Sequence, residues 1–475
     1  MADFDLVLRN ARIATAADQF RADIGIHAGR IAALGTGLAQ GKDEIDAHGR
    51  LVLPGGVDAH CHFDQPMGDG SEMADDFASG TLSALCGGTT TVIPFACQIK
   101  GRSLREAVVD YHRRAEGKAY IDYAFHLIVA DPVASVLGQE LPALIEDGYS
   151  SFKIYMTYDD LKLSDRQILD VLALARRERA MTMVHAENAD VIAWLTEQLE
   201  LAGKTAPKFH AVAHARIAER EATHRAIALA ELVDVPILIV HVSGREAVEQ
   251  IGRAQAQGLR ILGETCPQYL FLTADDLDLP GHEGAKCVCS PPPRDKANQQ
   301  AIWTGLANGT FSVFSSDHAP FRMNDPKGKL VCGPAAPFSK IPNGIPGVET
   351  RLALLLSEGV LKGRITLQQF VALTATNPAR IYGLAGRKGS IAIGADADLV
   401  VWDTDGTVRI ENRRLHHNVD YTPYEGIELK AWPDTVIARG DIVVRAGEPT
   451  GAAVKGRGRF LRCDRPVEKA AGLAE

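Results

Sequence analysis

The sequence predicts an α/β protein: a (β/α)8 TIM-type barrel carrying a small β-sandwich domain built from both chain ends. Three observations predict it. A strand-then-helix alternation repeats eight times across residues 56–387. Strand-rich texture without that alternation fills residues 1–55 and returns over 388–475. The side chains best suited to hold a metal fall at or near the C-terminal ends of the candidate barrel strands, where such barrels place their active sites. A doubly wound open sheet is the runner-up, and the third observation disfavours it.

The elements follow in chain order. Phe4–Leu8, Arg12–Thr15, Ala22–Ile26 and Arg30–Leu34 are apolar or alternating runs separated by Asn, Gly and Asp, so they read as short strands. The same pattern recurs in IAIGADADLVVWD, TVRIEN and DTVIARGDIVVRAG near the other end. The two ends are read as one domain, divided in sequence and joined in space. Between them the candidate strands are Val57–Phe63, Thr90–Phe95, Tyr123–Val129, Ser151–Tyr155, Met181–His185, Ile237–His241, Ile261–Thr265 and Phe311–Ser315. Ser103-Leu-Arg-Glu106 and Ser164-Asp-Arg-Gln167 have the form of capping boxes ahead of apolar-periodic runs. Residues 216–233 form a long helix rich in Ala, Leu and Ile.

Composition narrows the class. The 475 residues are 46% hydrophobic and 23% charged, which is ordinary for a soluble globular protein able to bury a large core. Net charge is −9 and no basic stripe stands out, which argues against nucleic acid as a partner. MADFDLVLRN lacks the cationic and apolar regions of a signal peptide, and no segment reaches the ~20 apolar residues of a membrane span. Eight scattered cysteines without a C-x-x-C fit a reduced, cytoplasmic protein with mostly buried thiols; Cys287 and Cys289 read as ordinary strand residues rather than soft ligands. Motifs for P-loop and dinucleotide binding, the serine-hydrolase elbow and the H-E-x-x-H zinc site are all missing.

The chemistry gathers in a few short stretches. In GVDAHCHFD, His60 and His62 are two apart, so on a strand they point to one face. In SSFKIYMTY, Lys153 shares a face with Ser151 and Tyr155 amid apolar residues. A buried Lys is costly unless paired, and desolvation lowers its pKa, leaving a fraction as neutral amine able to add carbon dioxide. The resulting carbamate is a bidentate oxygen ligand able to bridge two metals. His185 ends the fifth strand in MTMVHAEN and His241 the sixth in PILIVHVSG; Asp317 follows the eighth in FSVFSSDHAP. Taken singly, each histidine reads as a core residue satisfied by a carbonyl, and Asp317 as a turn residue. Together, four imidazoles, a lysine and a carboxylate from five strands suit zinc or another divalent first-row metal. His318, next to Asp317, reads as support rather than ligand.

At this point the chain resembles the amidohydrolase superfamily, and within it the dihydropyrimidinase and hydantoinase family. PGGVDAHCHFD, DGYSSFKIYMTY, MVHAEN, IVHVSG, ETCPQYLFLT, CSPPPR, SDHAPF and IPNGIPGVE carry the resemblance, which runs over nearly the whole chain. It implies two zinc ions per subunit. His60, His62 and Asp317 would hold one, and His185 and His241 the other, with N6-carboxylated Lys153 and a hydroxide bridging them. It implies Asp317 as proton carrier, Tyr158 as donor to the developing oxyanion, and Ser290 and Asn343 as substrate-binding positions. The implied reaction opens a dihydropyrimidine or hydantoin ring to an N-carbamoyl amino acid. The implied partners are a small cyclic amide and further copies of this chain, a tetramer being favoured, with the segment after about Gly447 lying across a neighbour. Allantoinase-like ring hydrolysis and a non-catalytic scaffold are the alternatives; the full set of six ligand positions speaks against the scaffold. Asp64 stands where dihydroorotases carry an Arg, and is expected to repel an anionic substrate. QPMGDGSEM, over residues 65–73, departs from the usual more apolar loop, which leaves substrate range open.

Overall fold

The computed structural model describes residues 3–466. Both chain ends meet in one nine-stranded mixed sheet. Phe4–Ala14 pairs antiparallel with Gln19–His27 and parallel with Leu51–Pro54, which pairs antiparallel with Leu399–Asp403. Trp432–Ala438 and Asp441–Arg445 extend the sheet beyond Leu399–Asp403. Leu6, Leu8, Ile13 and Ile24 from one end and Leu399, Val401 and Ile437 from the other share one buried cluster.

Two expectations for this sheet change. The first two expected strands are one strand, Phe4–Ala14, whose register shifts between Leu8 and Ala11. Asn10 sits there at φ +54°, a conformation Asn adopts more readily than most residues. The strand Gly41–Asp46 was not expected. It pairs only with Phe4–Ala14, and its charged outward face suits an unpaired edge while erasing the apolar alternation that marks a strand.

The central part carries parallel strands at all eight expected places. Ser151–Tyr155, Met181–His185 and Ile261–Thr265 keep the expected bounds, whereas Gly56–Asp58, Ile237–Ile239 and Val313–Phe314 are shorter, so His60, His62 and His241 fall just past their strands. The second and third are each interrupted, giving Thr89–Val92 with Phe95–Cys97 and Asp122–Tyr123 with His126–Ile128. Pro94, lacking an amide hydrogen, falls in the first of these breaks. The strands therefore divide between a parallel sheet of seven and a parallel sheet of three. Beyond the last formal pairs, the Asp317 amide donates to the His60 carbonyl at 2.8 Å and the His62 amide to the His318 carbonyl at 2.7 Å. Strand-end segments from the two sheets thus lie side by side at His60–His62.

Alternation sorts the side chains. Phe152, Ile154, Val184, Ile237 and Ile239 join the large cluster that includes the helices, whereas Val57, Ile93, Phe95, Met181, Met183 and Leu238 form a separate cluster on the other face. Lys153 alternates with Phe152 and Ile154, so it points away from the helices.

The Ser164 capping box forms, and the long helix is Arg216–Val233, ended by Asp234 at φ +56°. Ser103 caps its helix through the Arg105 amide but gives its hydroxyl to Glu140, so the box with Glu106 is not made. Cys287 ends a short 3-10 helix and Cys289 lies in the loop after it, so neither is a strand residue; both are buried. The segment after Gly447 runs along its own chain rather than off it: the Tyr123 amide donates to Arg459, Leu461 to Tyr123, and Cys463 to Gly148. Phe460 anchors it among Tyr123, Phe125, His112 and Tyr149. The last residues of that expectation, 467–475, lie outside the described residues. No helix among the described residues is long and apolar enough to cross a membrane.

Candidate metal centre

The six side chains read as metal ligands converge at the C-terminal ends of their strands. His60 Nε2 lies 2.8 Å from Lys153 Nζ and 3.2 Å from Asp317 Oδ1. His62 Nε2 lies 3.5 Å from the same oxygen. His241 Nε2 lies 2.9 Å from His185 Nδ1. His60, His241 and Asp317 each offer an atom within 4.8 Å of the others. All six are buried or nearly so.

Three of the four imidazoles are aimed by what their other nitrogen touches, whereas among the described residues His241 Nδ1 has no hydrogen-bond partner. Glu264 Oε1 takes His60 Nδ1 at 2.6 Å, Gln65 Oε1 takes His62 Nδ1 at 2.7 Å, and Glu187 Oε2 takes His185 Nε2 at 2.8 Å. Such partners fix the tautomer and leave the remaining nitrogen's lone pair facing inward. Glu187 is itself held by His214 Nδ1 at 2.9 Å. Sequence reading missed all four supporting residues. Two left a signal: Glu264 is an acidic residue inside an apolar strand, and Glu187 follows His185 by two.

Burial controls the protonation states. It lowers the pKa of His60, His185 and His241, so these rings are neutral and able to donate a lone pair. It also pulls Lys153 down to about 8, against the opposing pull of Asp317 and Glu264. His60 Nε2 and His62 Nε2 face Asp317 Oδ1, and His241 Nε2 faces His185 Nδ1, so lone-pair atoms converge on one place. The set of nitrogen and oxygen donors without thiolate therefore fits zinc or a similar divalent ion.

Backbone strain marks the same place. His241, Asp317 and Tyr158 all adopt positive φ, at +39°, +48° and +67°. Such conformations cost about 1–3 kcal/mol each in non-Gly residues and gather at functional sites.

Tyr158 faces the centre, its ring centroid 5.3 Å from that of His185. Burial raises its pKa, with Glu187 adding to the effect, while the Ser290 and Asn343 side chains oppose it. The hydroxyl stays protonated and able to donate. Ser290 Oγ also meets His210 Nε2 at 3.3 Å. Asn343 Oδ1 is buried and, among the described residues, has no hydrogen-bond partner. The three expected substrate positions are thus linked through Tyr158, which stands beside His185.

Two neighbours of the expected ligands have partners of their own. Asp64 does not present a free negative charge, because Arg114 Nη1 pairs with it at 2.9 Å; its expected repulsion of anions is largely offset. His318 is turned away, its Nε2 at 3.0 Å from the buried Asp75 and its Nδ1 accepting from the Gly347 and Val348 amides.

Comparison with known proteins adds an independent line. The amidohydrolase family profile matches residues 51–443. A D-hydantoinase of Rhizobium radiobacter is 43% identical over 459 residues, covering 96% of this chain and 99% of that one. A D-hydantoinase of Ralstonia pickettii is 43% identical, covering 96% and 98%. The crystal structure of a dihydropyrimidinase from Brevibacillus agri NCHU1002 superposes with a TM-score of 0.94 at 41% identity, over 97% of this chain and 99% of that one.

Proposed function

The chain belongs to the amidohydrolase family, and from that premise we propose that it is a metal-dependent hydrolase that opens the ring of cyclic amides. The ring is a hydantoin or a dihydropyrimidine and the product an N-carbamoyl amino acid. The names of its relatives support this reading. The observation that carries it is the convergence of His60, His62, Lys153, His185, His241 and Asp317 on one buried point. In this reading the parallel strands of residues 56–387 close as a (β/α)8 barrel through the backbone bonds at His60–His62. The described parts of residues 1–55 and 388–475 are read as the second domain.

His60, His62 and Asp317 would hold one metal ion and His185 and His241 a second, with N6-carboxylated Lys153 between them. The lowered pKa of Lys153 supplies the neutral amine that adds to carbon dioxide, losing one proton as the N–C bond forms. Bound zinc would supply Lewis acidity toward the ring carbonyl and a water acidic enough to attack at neutral pH. Asp317 takes the proton of the attacking water and delivers it to the ring nitrogen as the C–N bond breaks. Tyr158 donates to the carbonyl oxygen as negative charge develops there. Ser290 and Asn343 bind the ring amide and hold its carbonyl toward Tyr158.

Association with further copies, as a tetramer, is part of this reading. The helix Ala189–Leu201 is mostly apolar, yet Trp194 is 60% and Leu201 76% exposed. A face like that suits burial against another subunit. Light scattering of the purified protein tests it, and a monomer would contradict it. The function is tested by metal analysis together with ring opening of dihydrouracil, hydantoin, 5-substituted hydantoins and allantoin. Bound metal with turnover of hydantoin or dihydrouracil is expected. Absence of both would refute the proposal.

A further inference from the structure

Lys329 is a buried cation that the chemistry above does not use. It is 1% exposed, and among the described residues no carboxylate pairs with it. Its Nζ instead donates to the Val288 carbonyl and to the Pro342 carbonyl, each at 2.8 Å. A buried ammonium without a counter-ion is expensive, so a lysine held this way needs a function that outweighs the cost. The two acceptors identify it. Val288 lies two residues before Ser290, and Pro342 immediately precedes Asn343. The lysine therefore ties together the two loops that carry the ring-binding positions.

The join has little slack. The Val288 carbonyl also accepts from the Gly344 amide at 3.0 Å, so both loops and Lys329 share one acceptor. Gly344 sits at φ +142°, where a side chain would meet the Ala319 carbonyl. The Lys329 amide donates to the Arg322 carbonyl at 2.8 Å, which fixes the lysine's own backbone. With both loops held, the Ser290 and Asn343 side chains both act on the hydroxyl of Tyr158, and among the described residues the buried Asn343 Oδ1 has no hydrogen-bond partner.

We propose that Lys329 is a positioning residue for ring recognition: by bridging the Val288 and Pro342 carbonyls it sets the spacing between Ser290 and Asn343, and with it the ring size the site accepts. The proposal rests on the ring-opening function above. A neutral lysine keeps two N–H groups for two carbonyls, so the bridge does not depend on the ammonium form. Carboxylation at this lysine is disfavoured, because an added carboxylate would face two carbonyl oxygens.

The test compares wild type, Lys329→Met and Lys329→Gln with hydantoin, a five-membered ring, and dihydrouracil, a six-membered ring. Lys329→Met is expected to raise KM for the preferred ring about tenfold with kcat changed less than about threefold, and to shift the ratio of the two KM values by about threefold or more. Metal content stays at the wild-type level. Lys329→Gln, whose amide retains two N–H donors on a shorter arm, is expected to fall between, and it decides the question if the Met variant does not fold. Unchanged KM values and an unchanged ratio in a folded variant would overturn the proposal, as would loss of bound metal. A wild type that binds metal but opens neither ring would instead refute the function on which the proposal rests.

Discussion

Two lysines are each buried to 1% exposure, and what their amines face sets them apart. Lys153 looks at His60 Nε2, with the rings of Phe95 and Tyr155 4.6 and 4.9 Å away. Lys329 looks at two backbone carbonyls. Burial lowers the pKa of both, Lys153 to about 8 and Lys329 to about 7. Lowered basicity alone therefore does not mark a reactive lysine. At Lys153 an added carboxylate would be met by metal ions held on the neighbouring imidazoles; at Lys329 it would be met by oxygen. In the proposed function one amine becomes a ligand and the other remains a donor.

The largest expected effect breaks the comparison at Lys153. Lys153→Ala should lower ring-opening activity by more than about a thousandfold, with loss of bound metal, because the bridging ligand is gone. Elemental analysis reads the metal and a hydantoin assay reads the rate. Added acetate or propionate should recover part of both. Lys329→Met, by contrast, should keep its metal.

The next effect is on the partners that aim the imidazoles. Gln65→Leu removes the oxygen at His62 Nδ1, and zinc affinity measured by chelator competition should fall about 10–100-fold. Unchanged affinity would mean that packing alone orients His62.

A third effect sharpens the contrast through pH. Lys329 has a folded pKa of about 7 against 10.5 for the free side chain. Between those values the unfolded chain binds a proton that the folded chain does not, so this lysine makes wild-type stability rise with pH. Its stabilising contribution is lost as pH falls through that window toward 7. In metal-free protein, the denaturation midpoint of wild type should gain on that of Lys329→Met as pH rises from 7 to 10. The limiting slope is about 1.4 kcal/mol per pH unit. Lys153 titrates in both proteins and cancels from the difference. A difference that stays flat with pH would show that Lys329 is not depressed.

The smallest effect is expected at the rim. Asp64→Arg would set two guanidinium groups against each other where Asp64 and Arg114 now pair. The pair is partly exposed, so a stability loss of about 1 kcal/mol is expected, read from a thermal melt. Metal content should not change, since Asp64 takes no part in the cluster.

The same contrast explains how much of the site was legible in the sequence. Lys153 interrupts an apolar strand, and an interruption of that kind stands out against a period of two. His185, His241 and Asp317 end apolar runs in the same way. Lys329 lies in DPKGKLVCG, where glycine, proline and charge read as an exposed loop; only the fold shows that this loop turns inward. Gln65 was equally hidden, since it sits among polar residues just past the His60–His62 pair. In the fold, the parallel strands were visible from their apolar runs, whereas Gly41–Asp46 was not, because an edge strand pairs through its backbone and leaves its side chains free to be charged. Sequence patterns report burial well. They report poorly on polar groups buried by contacts made far away along the chain.

The proposed function requires a bridging carbamate on Lys153, and carbon-13 NMR detects such a group by its own signal. Metal-free protein reloaded with zinc in carbon-13-labelled bicarbonate should give a protein-bound carbamate signal in wild type and in Lys329→Met, and none in Lys153→Ala. No signal in fully metal-loaded wild type, or a signal that survives in Lys153→Ala, would contradict the account.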